Sequence, residues 1–169
     1  MESFKSMISR HKAPWECTFA KEDNSQCEPG SPPNSEGGYF EVLALCILQA
    51  GFNWRKVRAG WPQLRRAFQE FDVQALAKAD PQDLLQRPGI IKNRRKIEAI
   101  IANALRFQHV QREYGSFAQF INALKAKEDR EAIDSLTKRF RHVGGYSAEY
   151  YLHSIGYWTE KATAEATRA

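Results

Sequence analysis

The chain has no run approaching the about 18 consecutive apolar residues that a membrane-spanning helix requires, so no membrane association is expected. Its start, MESFKSMISRHKAPWEC, has no apolar core of a secretory signal. Cysteine is scarce: Cys17, Cys27 and Cys46 are three, a number that cannot pair completely within the chain. A reducing, cytoplasmic setting is therefore expected. No stretch alternates apolar and polar residues as a half-buried strand does. What remains is a chain of 169 residues, 43% hydrophobic, enough for one core. Lys and Arg outnumber Asp and Glu by 25 to 20, and the pI is near 9.2. That balance suits a polyanionic partner without requiring one.

Residues 21–38, KEDNSQCEPGSPPNSEGG, are rich in Pro, Gly, Ser and Asn and predict a long loop. The expected division is an N-terminal arm and loop at 1–38, one domain at 39–158 and a short tail at 159–169. Within the domain the turn signals fall at helical intervals: WP at 61–62, ADPQD at 79–83, RPG at 87–89, YGS at 114–116 and VGG at 143–145. Between them apolar residues recur with helical spacing, as in Ile97, Ile100, Ile101, Ala104, Leu105 and Val110. Asp80 is the expected N-cap of a helix with Pro81 in its first turn, and Ser116 caps another through Phe120 to Leu124. The fold class predicted is all-α, with seven or eight short helices.

Two segments carry chemistry. In RFRHVGGYSAEYYLHSIGY, residues 139–157, Phe140, Val143, Gly144, Ser147 and Ala148 follow the pattern of a helix-hairpin-helix. Glycine there permits close backbone approach, and the N-terminus of the following helix aims free amides at a phosphate oxygen. Lys138, Arg139 and Arg141 flank the turn, with His142, Val143, Gly144 and Gly145 forming it; these residues are the candidate contacts to a DNA backbone. An ordinary Gly-Gly turn between two helices is the alternative. His142 stands where such hairpins usually carry another glycine. The second segment is FEVLALCILQAGFNW, residues 40–54, an apolar run that closes on Gln49, Gly51, Asn53 and Trp54. A helix serving only as core needs no such polar and aromatic end.

Taken together, FE at 40–41, QAGFNW at 49–54, FQEFD at 68–72, GIIKNRRKIEAIIANA at 89–104, YGSF at 114–117 and KRFRHVG at 138–144 resemble the 3-methyladenine DNA glycosylase I family of helix-hairpin-helix glycosylases. The resemblance covers about residues 39–156. It implies excision of a damaged base from DNA, with no cofactor. The family's wedge matches Gly51, Phe52 and Asn53 here, and Phe52 is large and apolar enough to fill the space of a flipped base. The resemblance puts Trp54 at the pocket tryptophan, whose face suits an electron-poor alkylated purine. Core packing is the alternative for both aromatics.

The departures from the family are specific. Its purine-contacting glutamate is Cys46 in this chain, so the expected base pocket consists of Cys46, Gln49 and Trp54 with no assigned catalytic residue. The tyrosine of the family's N-terminal arm has no match, and its Cys and His zinc ligands are missing, so no structural zinc is expected. Cys46 itself reads either as a small buried hydrophobe or as a reactive thiol; no cation lies near it in sequence. In other glycosylases of the superfamily a hairpin lysine forms a Schiff base, and an aspartate lies beyond the next helix. Those positions read Tyr146 and, near Thr163, only the flanking Glu160 and Glu165, which disfavours a lyase. Glu41 points away from Cys46 on the helix and is expected to be structural. Glu22 and Asp23 lie in the unmatched loop.

Two functions from different classes follow. One is a monofunctional hydrolase of alkylated purines such as 3-methyladenine, acting as a monomer on double-stranded DNA that contains damaged bases. The other is a non-catalytic DNA-binding relative that keeps hairpin and wedge but has lost the chemistry.

Overall fold

The computed structural model describes residues 31–157, with the side chains of Trp54 and Arg55 outside that description. Cys17, Cys27, Glu22, Asp23, Glu160, Thr163 and Glu165, like most of the expected arm and the tail, lie outside the described residues. Among the described residues there are nine α-helices, one 3-10 turn and no strand. The helices are α1 (Glu36–Gln49), α2 (Trp54–Ala59), α3 (Trp61–Ala67), α4 (Val73–Ala77), α5 (Pro81–Leu85), α6 (Arg94–Tyr114), α7 (Phe117–Lys125), α8 (Asp129–Arg139) and α9 (Gly145–Ser154). The expected class is met, with more helices than the seven or eight read from sequence. The excess arises between α2 and α5, where Gly60, the 3-10 turn and Asp80 divide one stretch into four short pieces. None of these helices is long and apolar enough to cross a membrane.

The first helix starts at Glu36, ahead of Tyr39, because Ser35 caps it by accepting from the Gly38 N–H at 3.1 Å. From Val42 to Leu48 every residue is apolar and buried, and the helix runs through the middle of the core. The long α6 packs against it with one stripe, Ile97, Ile100, Ala104, Phe107 and Val110. Leu105 is 52% exposed, against expectation, and Ile101 is only partly buried. Each is one residue, about 100°, past a buried stripe position, enough to turn it toward solvent. Phe107 stacks on Phe117 at 4.2 Å and meets Phe40 edge-on at 5.4 Å, joining α1, α6 and α7. The Glu36 carboxylate ties the same three elements by accepting from Phe117 N, Ala118 N and Gln111 Nε2.

Both expected caps are present: Asp80 accepts from Gln82 N at 2.6 Å and Ser116 from Gln119 N at 3.1 Å. The FQEFD segment forms an unusual link. Gln69, Glu70 and Phe71 all have φ near +55°, a left-handed turn that costs L-residues about 1–2 kcal/mol each. Stacking of Phe71 on Trp61 at 4.9 Å and on Phe68 at 5.4 Å offsets that strain. Asp72 then caps α4. Glu41 is structural as expected, accepting from Trp61 Nε1 at 3.0 Å and pairing with Arg65 at 3.1 Å.

Candidate nucleic-acid interface and base pocket

The hairpin joins α8 to α9. Phe140 and Val143 are buried beneath it, so Val143 presents only backbone outward. His142 holds φ +56° and is exposed, which explains why glycine is usual there. The turn is held from below by Asn103 of α6, which is fully buried. Its Oδ1 accepts from Arg141 N at 2.7 Å and its Nδ2 donates to Arg141 O at 2.9 Å. Gly144 caps α9 with no side chain, and a Cβ built on Gly144 or Gly145 meets nothing within 4 Å. No other part of the fold therefore crowds the Cα positions of these two glycines at the start of α9.

The cations around this turn are not equivalent. Lys138, Arg141 and His142 are exposed. Arg139 is engaged within the fold: its guanidinium forms a two-pronged pair with Glu113 at 2.8 and 3.0 Å and lies over the rings of Tyr114 and Phe120. It braces α8 against α6 and α7. The sequence showed a basic cluster and gave no sign that one member had an internal acid.

The second turn follows α1. Gly51 takes φ +74°, Phe52 N donates to Gln49 O at 3.0 Å, and Asn53 caps α2 through Lys56 N at 3.2 Å. Phe52 projects, 40% exposed. It forms one wall of an apolar groove of about 570 Å³ that also involves Val57, Leu64 and Ile91. Helix α1 carries no basic residue in its own last turn; Lys96 of α6 supplies the charge. Its Nζ donates to Leu48 O at 3.1 Å and to Ala50 O, and stands 4.3 Å from the centre of the Phe52 ring. A cation at a helix C-terminus is favourable, as is one over an aromatic face. One buried ammonium thus fixes the end of α1 and the underside of the Phe52 turn. Burial also lowers the Lys96 pKa to about 8. Its sequence signal was a lysine four residues before Ile100, on the apolar stripe of α6.

Behind this turn lies a polar cluster inside an otherwise apolar core. Cys46 and Gln49, three residues apart on α1, share a face. Cys46 is 4% exposed and Gln49 1%. Neither polar atom of the Gln49 amide has a hydrogen-bond partner among the described residues. Buried amides are nearly always paired, so this one is prepared for a ligand or another segment. Burial holds the Cys46 thiol far above the ordinary cysteine range, and the opposing charge of Arg58 is too weak to reverse it. The thiol is neutral, a small buried group rather than a nucleophile. Arg58 reaches the cluster from α2 and donates to the Tyr150 hydroxyl at 3.1 Å.

Helix α9 closes the other side. Tyr146, Glu149, Tyr150 and His153 recur at intervals of three and four and share one face. Tyr146 is 39% exposed, while the other three are nearly fully buried. Helix α9 packs against α1, and the Tyr146 hydroxyl is shifted upward mainly by burial and also by Cys46. Of the expected pocket, the structure brings Cys46 and Gln49 together; the Trp54 side chain lies outside the description, though its backbone starts α2. Arg58, whose charge acts on Cys46, was missed. Among the described residues no group of three or more His, Cys, Asp or Glu is placed to hold a metal ion.

Residues 24–150 match the family model described as methyladenine glycosylase. DNA-3-methyladenine glycosylase 1 of Escherichia coli (strain K12) is 34% identical over 97 residues, 56% of this chain and 52% of that protein. DNA-3-methyladenine glycosylase of Haemophilus influenzae is 33% identical over the same shares. The chain spans about half the length of these curated relatives. A crystal structure of 3-methyladenine DNA glycosylase I superposes with a TM-score of 0.68 at 27% identity, covering 83% of this chain and 92% of that one. The Staphylococcus aureus enzyme, solved for its recognition of 3-methyladenine, shares the fold at a TM-score of 0.66 and 24% identity, over 76% and 80% of the two chains.

Proposed function

The chain belongs to the methyladenine glycosylase family, and from that premise we propose that it is a monofunctional DNA glycosylase releasing alkylated purines such as 3-methyladenine from double-stranded DNA. It works as a monomer inside the cell. The observation that carries this reading is the buried Gln49 amide without a partner among the described residues, directly behind a turn whose exposed Phe52 is braced by Lys96. A carboxamide offers a donor and an acceptor side by side, the complement of an adenine edge.

In this reading the hairpin amides at Gly144 and Gly145 hold a phosphate, assisted by Lys138 and Arg141, while the Arg139 pair with Glu113 keeps α8 in register. Phe52 enters the duplex as the damaged nucleotide leaves it, replacing lost stacking. Gln49 receives the base edge. An alkylated purine is cationic and already a good leaving group, so cleavage of its N-glycosidic bond by water needs chiefly extrusion, orientation and a dry surrounding. Tyr146 stands where a lyase would carry lysine, so no Schiff base forms from the hairpin and the sugar-phosphate chain stays intact.

The test is incubation of the purified protein with methylated duplex DNA under single-turnover conditions. Free 3-methyladenine with an uncut strand is the expected product. A second reading, a non-catalytic DNA-binding relative, is favoured by one observation: Cys46 is a neutral thiol where the family carries glutamate. Tight binding to damaged DNA without base release would establish it.

A further inference from the structure

The positive charge of the chain is concentrated in two segments beside the Phe52 turn. Residues 52–67 carry Arg55, Lys56, Arg58, Arg65 and Arg66 and no acid; residues 86–97 carry Arg87, Lys92, Arg94, Arg95 and Lys96 and again no acid. Every Asp and Glu lies elsewhere, where acids outnumber cations by 20 to 15. The fold brings the two segments together. Arg87 Nη1 donates to Ala67 O at 3.1 Å, Gly89 lies so close to Gln63 that an added Cβ would stand 2.8 Å from the Gln63 Cβ, and Ile91 shares the apolar groove with Phe52, Val57 and Leu64. Several of these cations are engaged: Arg65 with Glu41 and Glu70, Arg94 with Glu98, and Lys96 against the Phe52 ring. Lys56, Arg66, Lys92 and Arg95 are exposed and pair with no acid among the described residues.

Helix α6 sets where this surface lies. Lys96, which holds the Phe52 turn, and Asn103, which holds the hairpin, are seven residues apart on one face of α6, about 10 Å along its axis. The loop that lines the groove, residues 89–91, precedes α6 and so lies beyond the Phe52 turn from the hairpin. A side chain that enters a duplex from one of its grooves has a sugar-phosphate backbone on either side. With the damaged strand on the hairpin, the complementary strand meets the groove. We propose that the groove and its cations form a second DNA contact, which takes the strand complementary to the damaged one: Lys56 and Lys92 pair with its phosphates, and the apolar lining of Val57, Leu64 and Ile91 receives the base that Phe52 leaves unpaired. This rests on the DNA-binding part of the reading above.

The experiment measures binding to duplex DNA carrying a tetrahydrofuran abasic analogue, a probe that needs no base release. Replacing phosphates of the complementary strand by neutral methylphosphonates should weaken the unaltered protein about tenfold, but the double variant Lys56→Gln with Lys92→Gln by less than about twofold, because those contacts are already gone. The same replacement in the damaged strand should weaken both proteins alike. The double variant should also lower the slope of affinity against salt by about two, one for each phosphate contact. Removing the base opposite the analogue should cost the unaltered protein about tenfold in affinity. An unchanged salt slope, equal sensitivity of the two proteins to the complementary strand, or a sensitivity lost on the damaged strand instead overturns the inference, and so does indifference to the opposite base. Strand-selective binding by a protein that releases no 3-methyladenine sinks only the glycosylase reading; base release alongside any of the overturning results sinks only the second contact. Failure to bind the duplex at all overturns both.

Discussion

At the turn after α1 the left-handed position is filled by Gly51, at φ +74°, whereas at the hairpin the left-handed residue is His142 and the adjacent glycines lie elsewhere. Gly144 has φ −81°, ordinary for any residue, and neither it nor Gly145 has anything within 4 Å of a built Cβ. One turn therefore uses glycine for its own backbone. The other keeps glycine where the protein itself has no need of it and tolerates a strained histidine nearby. Empty space beside an unstrained glycine points outward, to something that must approach closely. The supports differ as well: a charge, Lys96, holds the first turn, and a neutral amide, Asn103, holds the second.

Removing the amide should have the largest effect. Asn103→Leu leaves the Arg141 N–H and C=O without their partner, at about 3 kcal/mol, and the hairpin loses its fixed shape. Chemical denaturation should show the destabilisation, and DNA affinity should drop with it. If stability is unchanged, the hairpin holds itself and the comparison of supports fails.

Substituting the outward glycine should separate binding from folding. Gly144→Leu is expected to cost at most about 1 kcal/mol in stability while weakening DNA binding about tenfold for every sequence alike, since phosphate contacts carry no sequence information. Affinity equal to the unaltered protein would assign the bare surface to no ligand. Phe52→Ala provides the matching test at the other turn. With 40% of Phe52 already exposed, thermal stability should change little, yet base release should fall about tenfold as the vacated stack goes unfilled.

Lys96 predicts a smaller effect with a definite sign. Burial lowers its pKa from 10.5 to about 8, so between those values the unfolded chain holds a proton that the folded chain has lost. Stability should rise across that window as pH increases, relative to Lys96→Met, which has no such group. Over the same window the positive charge leaves the Phe52 ring, and base release should decline. A pH–stability curve identical in the two proteins would remove the first claim. The smallest effect is expected for His142→Gly, which relieves a left-handed residue: a gain of a few tenths to about 1 kcal/mol, seen as a slightly higher denaturation midpoint.

The sequence by itself determined the elements and the positions of the two turns, because the forces that set them are local. Ser116 and Asp80 cap helices a few residues away, the stripe of α6 is a matter of rotation per residue, and GFN and HVGG carry their turn chemistry within three or four positions. Even the loss of the α1 carboxylate was legible as Cys46. What surrounds those turns was decided by the tertiary structure. Lys96 reaches the carbonyls of Leu48 in α1 and of Ala50 just beyond it, 48 and 46 residues away, Asn103 grips Arg141 across 38 residues, and Arg139 is taken up by Glu113 across 26. Each is a contact between helices whose relative rotation follows from core packing, where Phe40, Phe107 and Phe117 interlock.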